Sequence, residues 1–304
     1  MQLPLSLLVG AAVLFYFGTH LLWHGFGGHR TRSPILRGVL LAMPIVIVAI
    51  WLVLDGHPGK GVAILLTGAT LLLTLTLGVC AISNPHRDTV HSPSLRMLAP
   101  MAAAAFVVGL SGELSVTHAI CLAAMAGVLL TTRPPAEASD GGAVNATAGA
   151  LGTIVLIAGA AAMIYAITKL LQLPVIPLAG PVVVPLVLLA SVGLLVGDVH
   201  AGAGDRAVDT IVGAVLTLIG FGLPLAIVAA HAMASASGTT QPATSPAIIM
   251  PVGSWRIDTV LLTILSVMLL PVGFGRFSLS RLEGFCLVLA CVGYMFVTVM
   301  TARG

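Results

Sequence analysis

The 304-residue chain has few charged residues, few aromatic residues and only four cysteines. Asp, Glu, Lys and Arg make up 8% of it, against about a quarter in a soluble domain, and 58% is hydrophobic. This composition excludes a water-soluble globule and indicates a polytopic membrane protein. The cysteines lie in apolar runs without Cys-x-x-Cys pairing, so neither a disulfide framework nor a metal site is expected. No pattern of basic and aromatic residues indicates nucleic acid, and no catalytic motif indicates an enzyme.

Ten apolar segments are long enough to cross a bilayer, which takes about 20 residues. They are 3–23, 35–54, 61–82, 97–112, 114–131, 147–171, 175–196, 207–234, 257–274 and 281–301. The loops after the odd-numbered spans hold nine Lys and Arg residues, whereas the opposite face holds four. The positive-inside rule therefore predicts a multi-pass protein with both termini outside. Its richness in Ala, Gly and Val is compatible with the cell inner membrane. Its expected surroundings are the lipid bilayer.

The two halves of the chain resemble each other. Four features recur: Ser115–Leu122 matches Ser280–Leu287, Val108-Gly109 matches Val272-Gly273, Pro44 matches Pro185, and Gly68-Ala69 matches Gly213-Ala214. Because each half has an odd number of helices, the second half must be inverted in the membrane. The predicted organisation is an all-α protein of two inverted five-helix repeats, 1–131 and 147–304, joined by a polar cytoplasmic linker at 132–146.

This pattern resembles the calcium/cation antiporter superfamily, which includes the sodium/calcium exchangers. The resemblance is carried by Pro44, Pro185, the segments 67–70 and 209–215, and Arg-Leu-Glu-Gly at 281–284. It implies a sodium/calcium-exchanger-like fold with a site between helices two, three, seven and eight. In that family an acidic residue follows each proline, but Ile45 and Leu186 stand there in this chain.

The loss of both acids changes the expected chemistry. Ca²⁺ takes six to eight oxygen ligands, carboxylates among them, so calcium exchange is not expected. The remaining candidate ligands are neutral oxygens: carbonyls freed at predicted helix breaks at Pro44 and Pro185, and threonine hydroxyls. These threonines are Thr67, Thr70 and Thr74 on the third helix, and Thr210 and Thr217 on the eighth. Such a site suits a monovalent cation or a small solute, and no other cofactor is implied.

Several polar residues near the span ends have more than one interpretation. Asp209, at the start of the eighth span, is either a cation or proton site or a first-turn acid facing water beside Asp205 and Arg206. Asp198 is predicted to lie in a solvated loop. His118 and Glu283 occupy matching positions and are predicted to tie a helix start to its loop.

Two functions are consistent with these observations. The first is secondary transport by alternating access between helices two, three, seven and eight. The alternative is a transport-inactive exchanger homologue that serves as a scaffold or subunit of a membrane complex, with a membrane protein as its partner. A polar, hydrated pocket at mid-depth would favour transport, and a dry, filled seam would favour the scaffold.

Overall fold

The computed structural model describes residues 2–25, 34–83, 93–110, 112–131, 145–171, 179–200, 202, 204–236, 248–249, 252–275 and 279–301. This part of the chain forms ten helices, as the sequence predicted. They are α1 Gln2–Gly25, α2 Pro34–Leu54, α3 Pro58–Ser83, α4 Leu98–Val108, α5 Val116–Thr131, α6 Ala146–Leu171, α7 Ala179–His200, α8 Gly204–Ala236, α9 Val252–Gly273 and α10 Arg281–Thr301. Seven of them are long and apolar enough to cross a membrane. Residues 132–144 of the predicted linker lie outside the described residues.

The helices alternate in direction, so their ends form two faces. We call the end where α5 finishes and α6 begins the linker face, which is the predicted cytoplasmic side. At the opposite end β1, Glu113–Leu114, pairs antiparallel with β2, Ile248–Ile249. We call this end the strand face. Its strand pair joins the α4–α5 connection of the first half to the α8–α9 connection of the second.

Helices α5 and α10 start with equivalent capping interactions. The backbone N–H of Ser115 donates to His118 Nδ1 at 3.1 Å, and that of Ser280 donates to Glu283 Oε2 at 2.6 Å. Glu283 N–H also donates to Ser280 Oγ at 3.3 Å, which completes a capping box. The predicted role of His118 and Glu283 is confirmed, and the same device opens the last helix of each half.

The packing of the helices is symmetric under exchange of the two halves. Helix α2 packs on α8 as α7 packs on α3, and α3 packs on α10 as α8 packs on α5. Helix α1 packs on α7 as α6 packs on α2. Helices that occupy the same position in the two halves also pack on each other, namely α1 on α6 and α4 on α9. The fold is therefore a bundle of two inverted five-helix repeats.

Helices α3 and α8 share an unusual feature at matching positions. Each contains one π-helical turn, Leu72–Thr76 in α3 and Leu218–Gly222 in α8. A π turn inserts an extra residue into the helix, is rare, and occurs frequently at functional sites. The turns follow the matched Gly-Ala pairs by four or five residues, so the duplication extends to backbone detail.

Candidate functional site

The centre of the bundle, where α2, α3 and α8 meet, is filled by aliphatic side chains. Ile45 is only 1% exposed and packs on Gly68, where an added Cβ would lie 3.1 Å from both Ile45 Cδ1 and Cγ2. Leu218 and Leu65 pack from the neighbouring helices, Leu65 Cδ2 within 3.0 Å of a Cβ built on Gly222. We call these five residues the central seam. It is apolar at the position where the family resemblance places an acid; the side chain of Leu186 lies outside the described residues.

The two matched prolines do not break their helices. Helix α2 continues through Pro44 and α7 through Pro185. Each proline only removes one backbone N–H, so the carbonyls of Leu40 and Pro181 lose their usual donor. The predicted helix breaks are corrected accordingly: these positions open one hydrogen bond inside a continuous helix.

The three α3 threonines share one helix face, which packs on α10. Their spacing places them on one side of α3. Thr67 Oγ1 lies 3.1 Å from the hydroxyl of Tyr294, and Thr74 lies beside Cys291; Tyr294 and Cys291 are both residues of α10. Thr67 and Thr74 therefore lie against α10, and the predicted part of these hydroxyls in a path between α2, α3, α7 and α8 stays a prediction. Gly68 lies on the side of α3 that faces Ile45 and Leu218 in the central seam.

Apart from Thr67, the candidate threonines fall into two groups by their hydrogen bonding. Thr74, Thr210 and Thr217 donate to carbonyls of their own helices, at 2.8, 2.7 and 2.7 Å. Thr70 is fully buried, and its hydroxyl has no partner among the described residues. A buried hydroxyl without a partner costs free energy, so Thr70 marks a place where a further ligand would be stabilising.

A buried carboxylate lies beside this face of α3. Asp258, on α9, is 7% exposed, and its Oδ1 accepts a hydrogen bond of 2.7 Å from the hydroxyl of Tyr294. The Tyr294 hydroxyl contacts Thr67 in turn, which links α9, α10 and α3. We call Asp258, Tyr294 and Thr67 the Asp258 cluster. Asp258 is six residues into α9, about 9 Å from the start of the helix on the strand face.

Asp258 is not among the residues predicted from the sequence, because the predicted span begins at residue 257 and would put this carboxyl in the membrane interface. Helix α9 instead begins at Val252, and Trp255, one turn before Asp258, is only 1% exposed. The signal that could have identified Asp258 is an acid next to a tryptophan at the head of an apolar run. Acids inside membrane helices are functional candidates by default.

Asp209 lies at the interface of α8 and α4. It is half-buried, and its Oδ1 accepts a hydrogen bond from Ser94 Oγ, in the 3₁₀ turn that leads into α4. When the two halves are aligned on their matched Val-Gly pairs, Ser94 in the first half corresponds to Asp258 in the second. Both carboxylates that bond to a hydroxyl belong to the second half, Asp209 near the linker face and Asp258 near the strand face. Asp209 is tied to a neighbouring helix rather than directed only at water.

Asp198 is not solvated as predicted. It lies in the last turn of α7, is 1% exposed, and its Oδ2 is 3.4 Å from Nη1 of Arg37 on α2, which is 3% exposed. The Arg37 guanidinium also stacks over the ring of Trp23, at 4.5 Å from its centroid. The predicted loop is part of α7, so the carboxylate is buried and must be paired. This ion pair joins the two matched helices α2 and α7 near the linker face.

No cluster of metal ligands is found in the part of the chain that the structure describes. No three His, Cys, Asp or Glu side chains lie together there. A small cavity of about 10 Å³, room for one water at most, lies near the linker face beside Leu77, Cys80 and Val199. The buried polar side chains of this part of the chain are serine and threonine hydroxyls, the carboxylates of Asp198 and Asp258, and the Arg37 guanidinium.

Comparison with solved structures identifies the fold. The chain is similar to the sodium-calcium exchanger NCX_Mj soaked with zero Na⁺ and Ca²⁺, with a TM-score of 0.67, 14% identity and 98% of each chain covered. It is similar to the same exchanger soaked with 2.5 mM Na⁺ and 0.1 mM Sr²⁺, with a TM-score of 0.65, 14% identity and coverage of 99% and 96%. No family profile or curated protein matches the sequence. At this identity the likeness shows a shared exchanger fold.

Proposed function

We propose that this exchanger-fold membrane protein is a secondary transporter that moves a monovalent cation by alternating access of its two inverted halves. The fold supports this proposal, because inverted repeats with matched irregularities in two core helices are typical of secondary transporters. The protein with the same fold is named a sodium-calcium exchanger. The cation that this chain moves must follow from its own residues.

Asp258 is the observation that carries the proposal. It is a buried carboxylate inside a membrane helix, and its hydrogen-bond partner among the described residues is a neutral hydroxyl. The other fully buried carboxylate, Asp198, is paired with Arg37. A single unneutralised charge in a low-dielectric interior favours one bound positive charge. It matches a monovalent cation rather than Ca²⁺, which needs several carboxylates.

The packing of the two halves is compatible with relative movement. The central seam is made of aliphatic contacts, which are not directional and can slide without breaking hydrogen bonds. Close contact of α2 with α8 is allowed by Gly38, which lies against Gly213 and Ala214. The Arg37–Asp198 ion pair is the directional contact that such a movement near the linker face would have to break or carry along.

Purified protein in proteoliposomes tests the proposal. With radioactive Na⁺ and Rb⁺ and an entrapped pH-sensitive dye, we expect flux of one monovalent cation down an imposed gradient, and no Ca²⁺ flux. Asp258→Asn should remove this flux. Asp55→Asn, in the exposed turn between α2 and α3, should retain it and is the matched control. Wild-type protein without flux of any cation, under any gradient, would contradict transport.

The alternative function, a transport-inactive scaffold or subunit, is favoured by one specific observation. The central seam is filled by Ile45, Leu65 and Leu218 where the resemblance expects a site, as a packing role would require. This alternative predicts a membrane protein partner that co-purifies at fixed stoichiometry. It also predicts the same absence of flux for wild-type protein and Asp258→Asn.

A further inference from the structure

We infer that the Asp258 cluster is a proton-binding site, with the Asp258 carboxylate as the acceptor and the hydroxyls of Tyr294 and Thr67 as a relay into α3. The site lies on the α3, α9 and α10 side of the bundle and is separate from the central seam. It deepens the proposed function by naming the proton as the monovalent cation. Proton binding itself does not depend on that function.

The hydrogen bonds of the cluster have a defined direction. The Tyr294 hydroxyl has one proton, which it donates to Asp258 Oδ1 at 2.7 Å. The 3.1 Å contact with Thr67 must then use the Thr67 proton, donated to the Tyr294 oxygen. The order of donation is therefore Thr67 to Tyr294 to Asp258. A chain of hydroxyls that each donate and accept, ending on a carboxylate, is the arrangement that a proton relay needs.

The transfer step balances without any other reactant. A proton arriving at Thr67 Oγ1 adds to that oxygen, whose own hydroxyl proton moves to the Tyr294 oxygen. The Tyr294 proton moves to Asp258 Oδ1, so the carboxylate becomes a neutral carboxylic acid. Both hydroxyls keep one proton each, and rotation of the two hydroxyls restores the original direction. The same steps in reverse release the proton into α3.

The relay has a continuation within α3. Thr70 is three residues after Thr67 on the same helix face, about 4.5 Å along the helix axis. Its hydroxyl is fully buried and has no partner among the described residues. A water between the two hydroxyls would give Thr70 Oγ1 the partner that it lacks among the described residues. Thr74 and Cys291 follow on the same side, so polar groups continue from the strand-face half of the bundle toward its middle.

The composition of the cluster favours a proton over a metal cation. The hydroxyl protons of Thr67 and Tyr294 point along the cluster toward Asp258 Oδ1, so a sodium ion would have to displace these donors to reach that oxygen. A proton needs only one oxygen. Binding it also neutralises the Asp258 carboxylate, which removes the charge that makes burial in the membrane costly.

No positive charge faces Asp258 from the described parts of the helices packed around it. On α10 the titratable groups on its side are Tyr294 and Cys291, while Arg281 and Glu283 lie at the far end, near the linker face. Helix α4 has no charged side chain, and Arg96, just before it, donates to the Gly273 carbonyl at the far end of α9. The nearest cations along the chain, Arg256 on α9 and Lys60 on α3, are exposed.

Infrared difference spectroscopy on the purified protein tests the site independently of transport. Across a pH titration we expect a carboxylic acid band that is missing in Asp258→Asn and shifted in Tyr294→Phe, which removes the donor hydroxyl. Asp55→Asn and Tyr165→Phe, both at exposed positions, should keep that band unchanged. If Asp258→Asn does not fold, the Tyr294→Phe spectrum decides. Variant spectra identical to wild type throughout the titration would overturn the inference.

A flux measurement separates this inference from the proposed function. With the pH-sensitive dye, we expect proton flux in wild-type liposomes that falls to the level of empty liposomes in Asp258→Asn and is slowed in Tyr294→Phe. A titrating Asp258 band without flux would support the proton site and contradict the transporter. Na⁺ flux with an Asp258 band that responds to Na⁺ at constant pH would support the transporter and overturn the proton assignment.

Discussion

Removing one partner of the Arg37–Asp198 ion pair should destabilise the protein severely. Both side chains are at least 97% buried, and their 3.4 Å separation gives an attraction of about 5 kcal/mol at an effective dielectric constant of about 20. Asp198→Leu removes the carboxylate that pairs with the buried Arg37 guanidinium, which costs about 3–5 kcal/mol of unfolding free energy. Arg37→Met should cost a similar amount and also loses the contact with the Trp23 ring.

The double variant distinguishes pairing from general damage. Replacing both partners removes both charges together, so Arg37→Met with Asp198→Leu should recover most of the loss of either single variant. The assay is reversible unfolding in mixed micelles by titration with a denaturing detergent. Arg256→Met and Asp55→Leu, at exposed positions, are the matched controls and should change stability little. The reasoning would be refuted if each single variant lost less than about 1 kcal/mol of unfolding free energy and the two losses summed to that of the double variant within about 0.5 kcal/mol.

Three further predictions concern packing and ion selectivity. Gly68→Val should cost about 1–3 kcal/mol of unfolding free energy, because a Cβ built on Gly68 already lies 3.1 Å from two Ile45 carbons. The loss should be smaller when Ile45 is replaced by Ala. An equal loss with Ile45 and with Ala at position 45 would contradict this packing. Gly109→Ala should lower the unfolding temperature, since the added Cβ overlaps the buried Trp255 ring. Gly127→Ala is the control: its Cβ meets nothing within 4 Å, so it should be neutral or stabilising by up to about 1 kcal/mol. A larger loss of stability for Gly127→Ala than for Gly109→Ala would be inconsistent with the Trp255 contact. Saturating Ca²⁺ should leave the unfolding temperature unchanged, because a ligand that binds the folded state raises it, and a rise would disprove the inference drawn from the missing acids.

The transmembrane organisation could be predicted because it depends on local patterns. Ten apolar runs, the recurring Ser115 and Ser280 starts and the matched prolines are all visible in one dimension, and the structure shows the ten helices in a twofold arrangement. The caps at His118 and Glu283 were predictable for the same reason, since the interacting residues are three positions apart. The domain limits at 131 and 147 stay a prediction.

The candidate site could be predicted only in part. Spacing alone shows that Thr67, Thr70 and Thr74 share a face of α3, but it does not tell which helix that face meets. Asp258 and Tyr294 are 36 positions apart, and Thr67 and Tyr294 are 227 apart, so their contacts depend on the rotation of three helices. The threonines were therefore identified as candidates while their carboxylate partner was missed.

The sequence by itself determined that the protein spans a membrane, that the described part of the chain forms ten helices, and that its two halves are inverted copies without the acids that the family resemblance expects. Hydrophobicity, loop composition and helix caps are properties of neighbouring residues, and the bilayer turns them directly into spans. Only the tertiary structure decided that Arg37 pairs with Asp198, that Ile45 fills the space over Gly68, and that Asp258 is buried beside Tyr294. In an apolar bundle each helix can rotate about its axis with little change in hydrophobic burial, so the few polar contacts across helices are set by packing rather than by local sequence.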